Sequence, residues 1–430
     1  MRGVSWSVAI AVLVAVVAPA CSSKPAREGK KASTSTEDAA PLFDDRVLHE
    51  IRLRMRPGDW TTLLANYGED TYYEGEFVWR DRTVSRVGIR SRGSGSRNRH
   101  KPGLKVDFHK YVDGQQFLGL TSLVLDNLYT DVSLLREHLA MAFLAKIGLA
   151  VPREAYVKLF VNDEYIGLYC SVEPIDRHFL ERVDGLDAEG YLYEYRWKEK
   201  WLFADLGPTL DPYRERFAAR THERQSGEEL YGPVRDFVQA FNGPSLTPKD
   251  AGRLFDPRLF LRQLAGEAFL ADWDGLVGDF GLNNFYLHRA HDSGQFRFLP
   301  WDKDSTFKAN DYPLWPQGLD ENEITRRLLA IPELRAFYLR ELARCADVAE
   351  SRDGADGAGG REPRPWLERT LEERYAQIAE AAHADGRKPQ SNRLFDEAVD
   401  GLRSFARFRP GFVRAFVEKG VGKSFYEKRK

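Results

Sequence analysis

Acidic and amide side chains gather between residues 279 and 304 of this 430-residue chain. Asp279 is followed five positions later by Asn284, and Asp302 and Asp304 follow Trp301. In an extended segment, the α-carbons of Asp302 and Asp304 are about 7 Å apart. Magnesium binds carboxylate and amide oxygens at about 2.1 Å, so these side chains have the chemistry to hold one ion, or a pair of ions shared with phosphate oxygens.

Two predicted elements deliver these side chains to one place. Asp256-Pro257 is a helix cap followed by proline in the first turn, and apolar residues then recur at helical spacing through residue 271. Residues 284–288 and 295–300 alternate, are rich in aromatic side chains and are joined by the turn sequence His-Asp-Ser-Gly. The sequence therefore predicts a buried helix, a loop with an aspartate and an asparagine, a β-hairpin, and aspartates where the hairpin exits.

Acidic residues after a hairpin are often part of a solvated turn, which is the simplest alternative. Here the flanking residues Phe298, Leu299 and Trp301 are apolar and indicate a partly buried site. A buried carboxylate without a partner costs several kcal/mol, which favours a bound cation. Asp272 and Asp274 are interpreted as charges at the end of the helix rather than as ligands.

The same order of helix, Asp-x-x-x-x-Asn loop, hairpin and aspartate is found in the catalytic half of protein kinases. There the loop aspartate accepts the proton of the substrate hydroxyl, the asparagine holds a metal ion, and the final aspartate binds the Mg²⁺ of the nucleotide. By this comparison Asp302 takes the position of the final aspartate, and Asp304 lies two residues further on.

A basic stretch rich in glycine and serine lies between two predicted strands of the N-terminal half. Residues 90–97 include Arg92, Ser96 and Arg97, and such a loop is able to present backbone N–H and guanidinium groups to phosphate. The alternative is a flexible basic turn. The P-loop signature of many nucleotide-binding proteins is absent from the sequence.

Lys105 lies on the strand predicted at residues 101–108, on the face opposite to its apolar side chains. A phosphate contact and ordinary solvent exposure both fit this position. Glu137 lies on a helix predicted further along, at the edge of its apolar stripe. It is either a partner for Lys105, as a helix glutamate pairs with a strand lysine in protein kinases, or a surface glutamate.

Length and charge limit the possible functions. A chain of 430 residues can build two lobes with substantial cores. Its 63 lysines and arginines nearly balance 65 aspartates and glutamates, for a formal net charge of −2, so charge gives no reason to expect nucleic acid as a partner. Cys170 and Cys345 either pair in an oxidising compartment or are buried singly.

The first 21 residues are typical of an export signal. Arg2 supplies a positive charge, and the apolar run 8–17 is shorter than the roughly 20 residues that cross a bilayer. The sequence Ala-Pro-Ala-Cys21 resembles a bacterial lipoprotein box and predicts lipidation of Cys21. Ordinary secretion and an uncleaved anchor are the alternatives. Residues 22–43 are predicted to be a disordered tether, because they have little to bury.

The remaining boundaries follow changes in pattern. Residues 44–176 are predicted as an N-terminal lobe of mixed sheet and helix, and residues 177–350 as a C-terminal lobe that carries the catalytic region. Residues 351–362 have the composition of a linker. Residues 363–430 are predicted as a helical C-terminal extension that packs rather than reacts, with a helix boundary between Phe408 and Pro410.

Several short motifs occur together and in a fixed order: Arg92-Gly93-x-x-Ser96-Arg97, the strand 101–108, Leu135-Arg136-Glu137, Asn162-x-x-Tyr165-x-Gly167-Leu168-Tyr169, Asn284, and Pro300-Trp301-Asp302-x-Asp304. In these motifs the chain resembles the spore coat protein H (CotH) kinase family over roughly residues 47–307. Members of that family are secreted or surface-associated atypical protein kinases that use ATP and a divalent metal to phosphorylate extracytoplasmic proteins.

The resemblance implies roles for single residues. Asp279 would be the catalytic aspartate, Asn284 a metal-side ligand and Asp302 the principal metal ligand, with Asp304 nearby. Lys105 and Glu137 carry over as residues around the nucleotide, and Lys101 also fits the strand motif. The implied cofactors are ATP and Mg²⁺ or Mn²⁺. Where the family often has a small residue soon after the second aspartate, this chain has Thr306-Phe307-Lys308.

The sequence thus predicts an α+β, two-lobed, kinase-like enzyme that is anchored outside the bacterial cytoplasmic membrane by its N-terminal lipid. We expect it to transfer the γ-phosphate of ATP to serine or threonine of an extracytoplasmic protein. Two other classes stay open: a non-catalytic scaffold of the cell envelope with the same fold, and a carbohydrate-associated surface module. Metal-dependent nucleotide binding distinguishes the enzyme from both.

Overall fold

Apolar and polar side chains alternate along the first strand of the N-terminal half. The structure is a computed structural model that describes residues 38–244, 247–352 and 364–419. In strand β1 (His49–Met55), Ile51 and Leu53 are fully buried while Arg54 is exposed. This period of two residues puts one face of the strand into a hydrophobic core and the other into solvent.

The N-terminal half is a closed barrel. Its further strands are β2 (Tyr73–Trp79), β3 (Arg82–Arg92), β4 (Gly103–Asp107), β5 (Ser122–Asp126), β6 (Glu154–Val161) and β7 (Glu164–Val172), in the spatial order β1-β2-β3-β4-β5-β7-β6. Strands β1 and β6 are parallel and complete the ring, and the other neighbours are antiparallel. A short 3-10 helix (Ala40–Leu42) precedes the barrel, α1 (Pro57–Ala65) follows β1, and α2 (Arg136–Lys146) connects β5 to β6.

The C-terminal half is a small sheet surrounded by helices. Its strands are β8 (Tyr191–Tyr195), β9 (Phe217–Ala219), β10 (Phe285–Arg289) and β11 (Phe296–Pro300), in the order β11-β10-β8-β9. Its helices are α3 (Arg177–Arg182), α4 (Asp211–Arg216), α5 (Gly227–Asn242), α6 (Pro248–Leu254), α7 (Pro257–Phe269), α8 (Gln317–Glu321), α9 (Glu323–Ala330), α10 (Pro332–Glu350), α11 (Trp366–Ala384) and α12 (Asn392–Glu418). One hydrophobic core extends from α2 through this half to α12, so the two halves share their packing.

The helix and the hairpin predicted to deliver the site are confirmed. The carboxylate of Asp256 caps α7 by accepting the backbone N–H groups of Arg258 at 2.9 Å and Leu259 at 3.1 Å. Strands β10 and β11 are antiparallel, with Phe285 opposite Pro300. This register brings the residue before β10 next to the residue after β11. The start and the end of the hairpin therefore meet, at the end of the sheet opposite to the turn.

The C-terminal helices pack against both halves. Helix α11 has the predicted bounds and lies against α2 and β7. Helix α12 continues through Pro410, so the predicted boundary there is wrong. The fully buried Arg409 donates to the carbonyl oxygens of Ala268 at 2.6 Å, Phe269 at 2.9 Å and Tyr312 at 2.7 Å. These bonds hold α12 in place where proline removes a helical hydrogen bond.

The chain is packed before the predicted start of the N-terminal lobe. Ala39, Leu42 and Phe43 are buried, so the prediction of a tether through residue 43 is wrong for these residues. The physical reason is the apolar sequence Ala-Pro-Leu-Phe, which has surface to bury.

The α+β class with C-terminal helices is confirmed. Cys170 and Cys345 are both buried and free, which fits the alternative of single core residues. Within residues 38–244, 247–352 and 364–419, no helix is both long enough and apolar enough to span a bilayer.

Candidate functional site

The candidate site lies at the junction of the barrel and the four-stranded sheet, where side chains of both halves meet. We call this junction the cleft. The guanidinium of Arg92, at the end of β3, is 5.9 Å from the ring centre of Trp301 and 3.7 Å from Asp126 Oδ2 at the end of β5. The hydroxyl of Thr130, which follows β5, donates to the carboxylate of Asp304. Asp304 therefore lies at the junction of the two halves.

The segment Asp302-Lys303-Asp304 is anchored by its central residue. Lys303 is fully buried, and its Nζ is 3.0 Å from both Glu267 Oε1 and Asp272 Oδ2. Burial lowers the pKa of Lys303, but the two carboxylates outweigh burial and raise its pKa above the ordinary value. The lysine therefore stays charged and holds the segment against the end of α7.

Asp302 and Asp304 flank this buried lysine and face a crowded acidic environment. Asp302 has a left-handed backbone, with φ of 53°, which aspartate adopts more readily than most residues. Burial among protein atoms, followed by the charges of Asp304 and Asp126, raises the pKa of Asp302 well above its usual range. Asp302 nevertheless keeps an exposed surface. A carboxylate whose pKa is raised by neighbouring carboxylates lies in a negative field that attracts a cation.

The donor set fits a metal ion that arrives with a phosphate-bearing substrate. Within the described residues, no three His, Cys, Asp or Glu side chains are close enough to hold a metal by themselves. Mg²⁺ is commonly bound by one or two carboxylates together with substrate phosphates. The backbone N–H of Trp301 donates to the carbonyl of Asn284 at 3.2 Å, so Asn284 lies opposite Trp301, the residue immediately before Asp302.

Asn284 is held by Asp274, which the sequence interpretation treated as a helix-end charge. Asn284 Nδ2 donates to Asp274 Oδ2 and to the Asp274 carbonyl, each at 3.1 Å, and Asn283 Nδ2 donates to Asp274 Oδ1 at 2.9 Å. Burial raises the pKa of Asp274, and the nearby charge of Asp304 adds to this rise. Asp274 therefore belongs to the same cluster as the predicted metal ligands.

Asp279, the predicted catalytic residue, lies at the exposed tip of the loop. Its Oδ2 is 3.1 Å from Lys308 Nζ. The loop closes beneath it, because the N–H of Asn283 donates to the carbonyl of Gly275 at 3.2 Å. A Cβ at Gly275 would lie 2.5 Å from two carboxylate oxygens, so only glycine allows this approach. The side chain of Asn284 bonds to Asp274, whereas that of Asp279 pairs with Lys308.

A basic cluster occupies the barrel side of the cleft. Lys105 on β4 is half-buried, and burial lowers its pKa. The charge of Asp107 raises the pKa of Lys105, while Arg90, Arg220 and Arg92 lower it further. Arg220 comes from the other half of the molecule, directly after β9. Arg90 and Arg220 are themselves paired with the carboxylates of Asp70 and Glu194. The cluster still brings cations of both halves together, a feature that attracts anions.

The predicted pair between Lys105 and Glu137 is not formed. Glu137 is buried and accepts the backbone N–H of Lys303, so it is neither a partner of the strand lysine nor a surface glutamate. Burial, followed by the charges of Glu154 and Asp302, raises the pKa of Glu137 well above its usual range. The pair does not form because α2 presents this carboxylate to the hairpin exit rather than to β4.

Other predicted phosphate contacts are used inside the fold. Lys101 is fully buried, with Nζ 2.7 Å from Asp385. Arg97 pairs with Asp70. The carbonyl of Ser96 accepts two side-chain amide hydrogen bonds, each at 3.0 Å. These contacts hold the basic loop in place. Of the residues predicted to bind phosphate, Arg92 and Lys105 lie at the cleft.

Sequence reasoning missed Lys303, Asp126 and Glu154. Asp126 has a local signal in the sequence, because it follows the apolar run Leu-Val-Leu and is the last residue of a strand. No local signal exists for Lys303, whose partner Asp272 is 31 positions away. Cys21, the predicted lipidation site, lies outside the described residues.

An α+β fold in which aspartates and an asparagine face lysine and arginine across a cleft has the arrangement of kinase-fold proteins. The chain belongs to the CotH kinase protein family, whose model matches residues 89–349, more than half of the chain. The matched region contains the candidate site, and the resemblance drawn from the sequence motifs is confirmed.

Relatives of the chain carry related names. Inner spore coat protein H of Bacillus subtilis (strain 168) is 27% identical over 270 residues, which cover 60% of this chain and 70% of that protein. In Rhizopus delemar, invasin CotH3 is 22% identical over 294 residues, covering 64% of this chain and 47% of the relative. Spore coat protein homolog 1 of the same organism is 21% identical over 326 residues, which cover 71% of this chain and 51% of that relative. The chain thus spans about half the length of the two Rhizopus relatives.

Among solved structures, the crystal structure of the Helicobacter pylori proinflammatory kinase CtkA aligns with 74% of this chain and 94% of that chain. The sequence identity is 12% and the TM-score is 0.29.

Proposed function

We propose that the chain is a CotH-type protein kinase of the bacterial cell envelope that transfers the γ-phosphate of ATP to a serine or threonine of a protein, with Mg²⁺ or Mn²⁺. The observation that carries the proposal is the cleft, in which an acidic segment anchored by a buried lysine lies beside a cluster of lysine and arginine. Phosphoryl transfer uses this combination, because the triphosphate and its metal carry opposite charges. Membership of the CotH kinase family supports the same activity.

In this proposal the barrel binds the triphosphate and the hairpin exit holds the cation. Lys105 and Arg92 bind phosphate oxygens. Asp302 and Asn284 bind the cation, which when bound neutralises charge on the phosphate oxygens. The high pKa of Asp302 supports this role, because a nearby cation stabilises its carboxylate form and relieves the repulsion from Asp304.

For the residue that orients the acceptor hydroxyl, we replace Asp279 with Asp274. The carboxylate of Asp274 is fixed by hydrogen bonds from Asn283 and Asn284 and lies next to the acidic segment. A fixed orientation and a raised pKa suit a group that takes a proton near neutral pH. Asp279 is exposed and paired with Lys308, which leaves it without the fixed environment that this role requires.

The proposal includes a location outside the cytoplasmic membrane. It is supported by the export signal and by the lipoprotein-like sequence that ends at Cys21. The acceptor is then an extracytoplasmic protein. Mass spectrometry of the chain purified from a bacterial membrane tests this location, with a lipid-modified Cys21 as the expected N-terminus. An intact Met1 in the mature protein would contradict lipidation at Cys21, and digestion of the chain only after the cytoplasmic membrane is opened would contradict the location.

Transfer of labelled phosphate tests the activity. The purified chain is incubated with γ-labelled ATP and Mg²⁺ or Mn²⁺, with and without a generic acceptor protein. Asp302→Ala should lose about 100-fold or more of the rate, because it removes the main ligand of the cation. Asp292→Ala is the matched control, since Asp292 lies in the exposed turn of the same hairpin and should keep the wild-type rate.

The result also separates the alternatives. A wild-type chain that transfers no phosphate and binds no ATP in the presence of either metal would favour the non-catalytic scaffold. Retention of the chain on insoluble polysaccharide, without nucleotide binding, would favour the carbohydrate-associated module.

A further inference from the structure

Three aromatic side chains form a row that leads from the surface of the C-terminal half towards Asp274. Trp197 and Phe280 are 45% and 42% exposed, and their ring centres are 6.2 Å apart. The ring centre of Phe280 is 5.7 Å from that of Trp273, the residue immediately before Asp274. We call Trp197, Phe280 and Trp273 the aromatic row. Large exposed apolar side chains that touch each other are a common mark of an interaction surface.

The aromatic row is fixed before any partner binds. The indole Nε1 of Trp197 donates to the carbonyl of Phe280 at 3.0 Å. The backbone N–H of Trp273 donates to the carbonyl of Ser305 at 3.1 Å, and Lys308 Nζ lies 5.2 Å from the Trp273 ring centre. A preformed aromatic surface loses little conformational entropy on binding, and tryptophan is enriched among residues that dominate binding energy.

Cations lie next to the aromatic row. Of the charged residues around Trp197, Glu199 and Lys200 are used in ion pairs with Arg216 and Glu321. Arg196 and Lys198 are exposed, and in the part of the chain that the structure describes they have no carboxylate within ion-pair distance. The surface therefore combines apolar rings with unpaired positive charge.

We propose that the aromatic row, together with Arg196 and Lys198, docks the acceptor protein through a segment that carries a bulky apolar side chain and acidic residues. The apolar side chain would pack on Trp197 and Phe280, and the acidic residues would reach the two cations. Because the row ends beside Asp274, a docked segment brings its hydroxyl to the cleft. The identity of the partner as an acceptor rests on the proposed kinase function, whereas the docking itself is testable without it.

A neutral glycan fits this surface less well than an acidic protein segment. Sugars stack on aromatic rings and also use polar groups at the ring edge, but Trp197 Nε1 already donates to Phe280. A neutral ligand would also leave the charges of Arg196 and Lys198 unused.

Fluorescence anisotropy with short labelled peptides tests the docking directly on the full chain. Three peptides each contain one serine, flanked by leucine and glutamate, by leucine and lysine, or by glycine and glutamate. The leucine–glutamate peptide should bind about tenfold more tightly than the other two, because only this peptide supplies both features. Trp197→Ala and Phe280→Ala should each weaken its binding about tenfold.

Further variants test the role of the two cations and the position of the aromatic rings. The double variant Arg196→Glu and Lys198→Glu should prefer the leucine–lysine peptide to the leucine–glutamate peptide. Phe408→Ala is the matched control, because it removes an exposed aromatic ring from α12 and should leave peptide binding unchanged.

The outcomes distinguish this inference from the proposed function. Equal binding of the three peptides, or equal losses in Trp197→Ala and Phe408→Ala, would overturn the docking surface. Binding to insoluble polysaccharide that Trp197→Ala abolishes would also overturn it, in favour of a glycan. A chain that binds the leucine–glutamate peptide as expected but transfers no phosphate would keep the docking surface and contradict the kinase. If Trp197→Ala transfers phosphate with an unchanged KM for the acceptor, the kinase would be supported and the docking surface would be contradicted.

Discussion

Two lysine–aspartate pairs lie close together in the chain and have nearly the same geometry. Lys303 Nζ is 3.0 Å from Asp272 Oδ2, and the two side chains are 0% and 1% exposed. Lys308 Nζ is 3.1 Å from Asp279 Oδ2, with side chains 42% and 59% exposed. Water solvates and screens the charges of the second pair, whereas each charge of the first depends on its buried partners.

Distance alone therefore does not assign a role to a charged residue, because the two pairs have nearly the same spacing and different surroundings. The buried pair fixes the acidic segment that carries Asp302. The exposed pair joins Lys308, which follows that segment, to Asp279 in the loop before β10. Asp274 and Asp279 differ in the same way, since hydrogen bonds hold the first and solvent surrounds the second. This difference in burial and partners is the basis for proposing Asp274 rather than Asp279 as the residue that orients the acceptor hydroxyl.

The largest effect should separate the two loop aspartates. We expect Asp274→Asn to lower kcat/KM for phosphate transfer about 100- to 10,000-fold, because it removes the group that orients and deprotonates the acceptor hydroxyl. Asp279→Asn should stay within about threefold of the wild type, as expected for an exposed ion pair. Steady-state kinetics with ATP and a protein acceptor measure both. The opposite order of losses would return the catalytic role to Asp279.

The next effect should separate the two lysines. Lys303→Met should lower the free energy of unfolding by about 3–5 kcal/mol, because Asp272 and Glu267 keep buried charges without a partner. Lys308→Met should cost about 1 kcal/mol or less. Urea unfolding followed by circular dichroism gives both values.

A matched variant tests the cause of the lysine effect. Combining Lys303→Met with Glu267→Gln and Asp272→Asn removes the three charges together and should recover most of the lost stability. Similar losses for the two single lysine variants would show that burial does not distinguish the pairs.

A buried carboxyl group without a lysine gives a third, pH-dependent comparison. Burial raises the pKa of Glu154 from 4.5 to about 8, where it lies against Glu137. The folded chain therefore keeps a proton that the unfolded chain releases, so the wild type should lose about 1.4 kcal/mol of stability per pH unit relative to Glu154→Gln. This loss should run from about pH 4.5 to about pH 8 and stop above it. Parallel pH profiles of the two proteins would contradict the assignment.

The smallest effect should appear in the salt dependence of the exposed pair. A double-mutant cycle on Lys308 and Asp279 should give a coupling energy of about 0.2–1 kcal/mol at low ionic strength. That coupling should shrink in about 1 M salt, where the Debye length is about 3 Å. The coupling between Lys303 and Asp272 should be nearly independent of salt. Equal salt dependence would mean that water reaches both pairs.

Local patterns predicted the elements that carry the site. The cap at Asp256 and the helical spacing after it predicted α7, and the alternation around a turn predicted the hairpin. The neighbourhood of Asn284 and Asp302 follows from the same pattern, because the two ends of a hairpin are adjacent whatever surrounds them. These predictions succeed because they depend on residues that are near one another in the sequence.

The parts that could not be predicted depend on contacts between distant residues. Lys303 binds Asp272 across 31 positions, and Arg409 donates to carbonyls 140 and 141 positions earlier. The hydrogen bond from Asn284 to Asp274 accompanies a close approach at Gly275, which has no periodic signal in the sequence. The kinase-type spacing selected Asp279, whereas the closed loop brings Asp274 to the asparagine.

In the proposed function, the cleft binds a metal–nucleotide complex through Asp302 and Lys105. A crystal structure of the chain with Mn²⁺ and a non-hydrolysable ATP analogue tests it most directly. We expect the manganese ion on Asp302 and Asn284, with the phosphates against Lys105 and Arg92. A metal ion bound at Asp279, or a nucleotide bound outside the cleft, would contradict the claim.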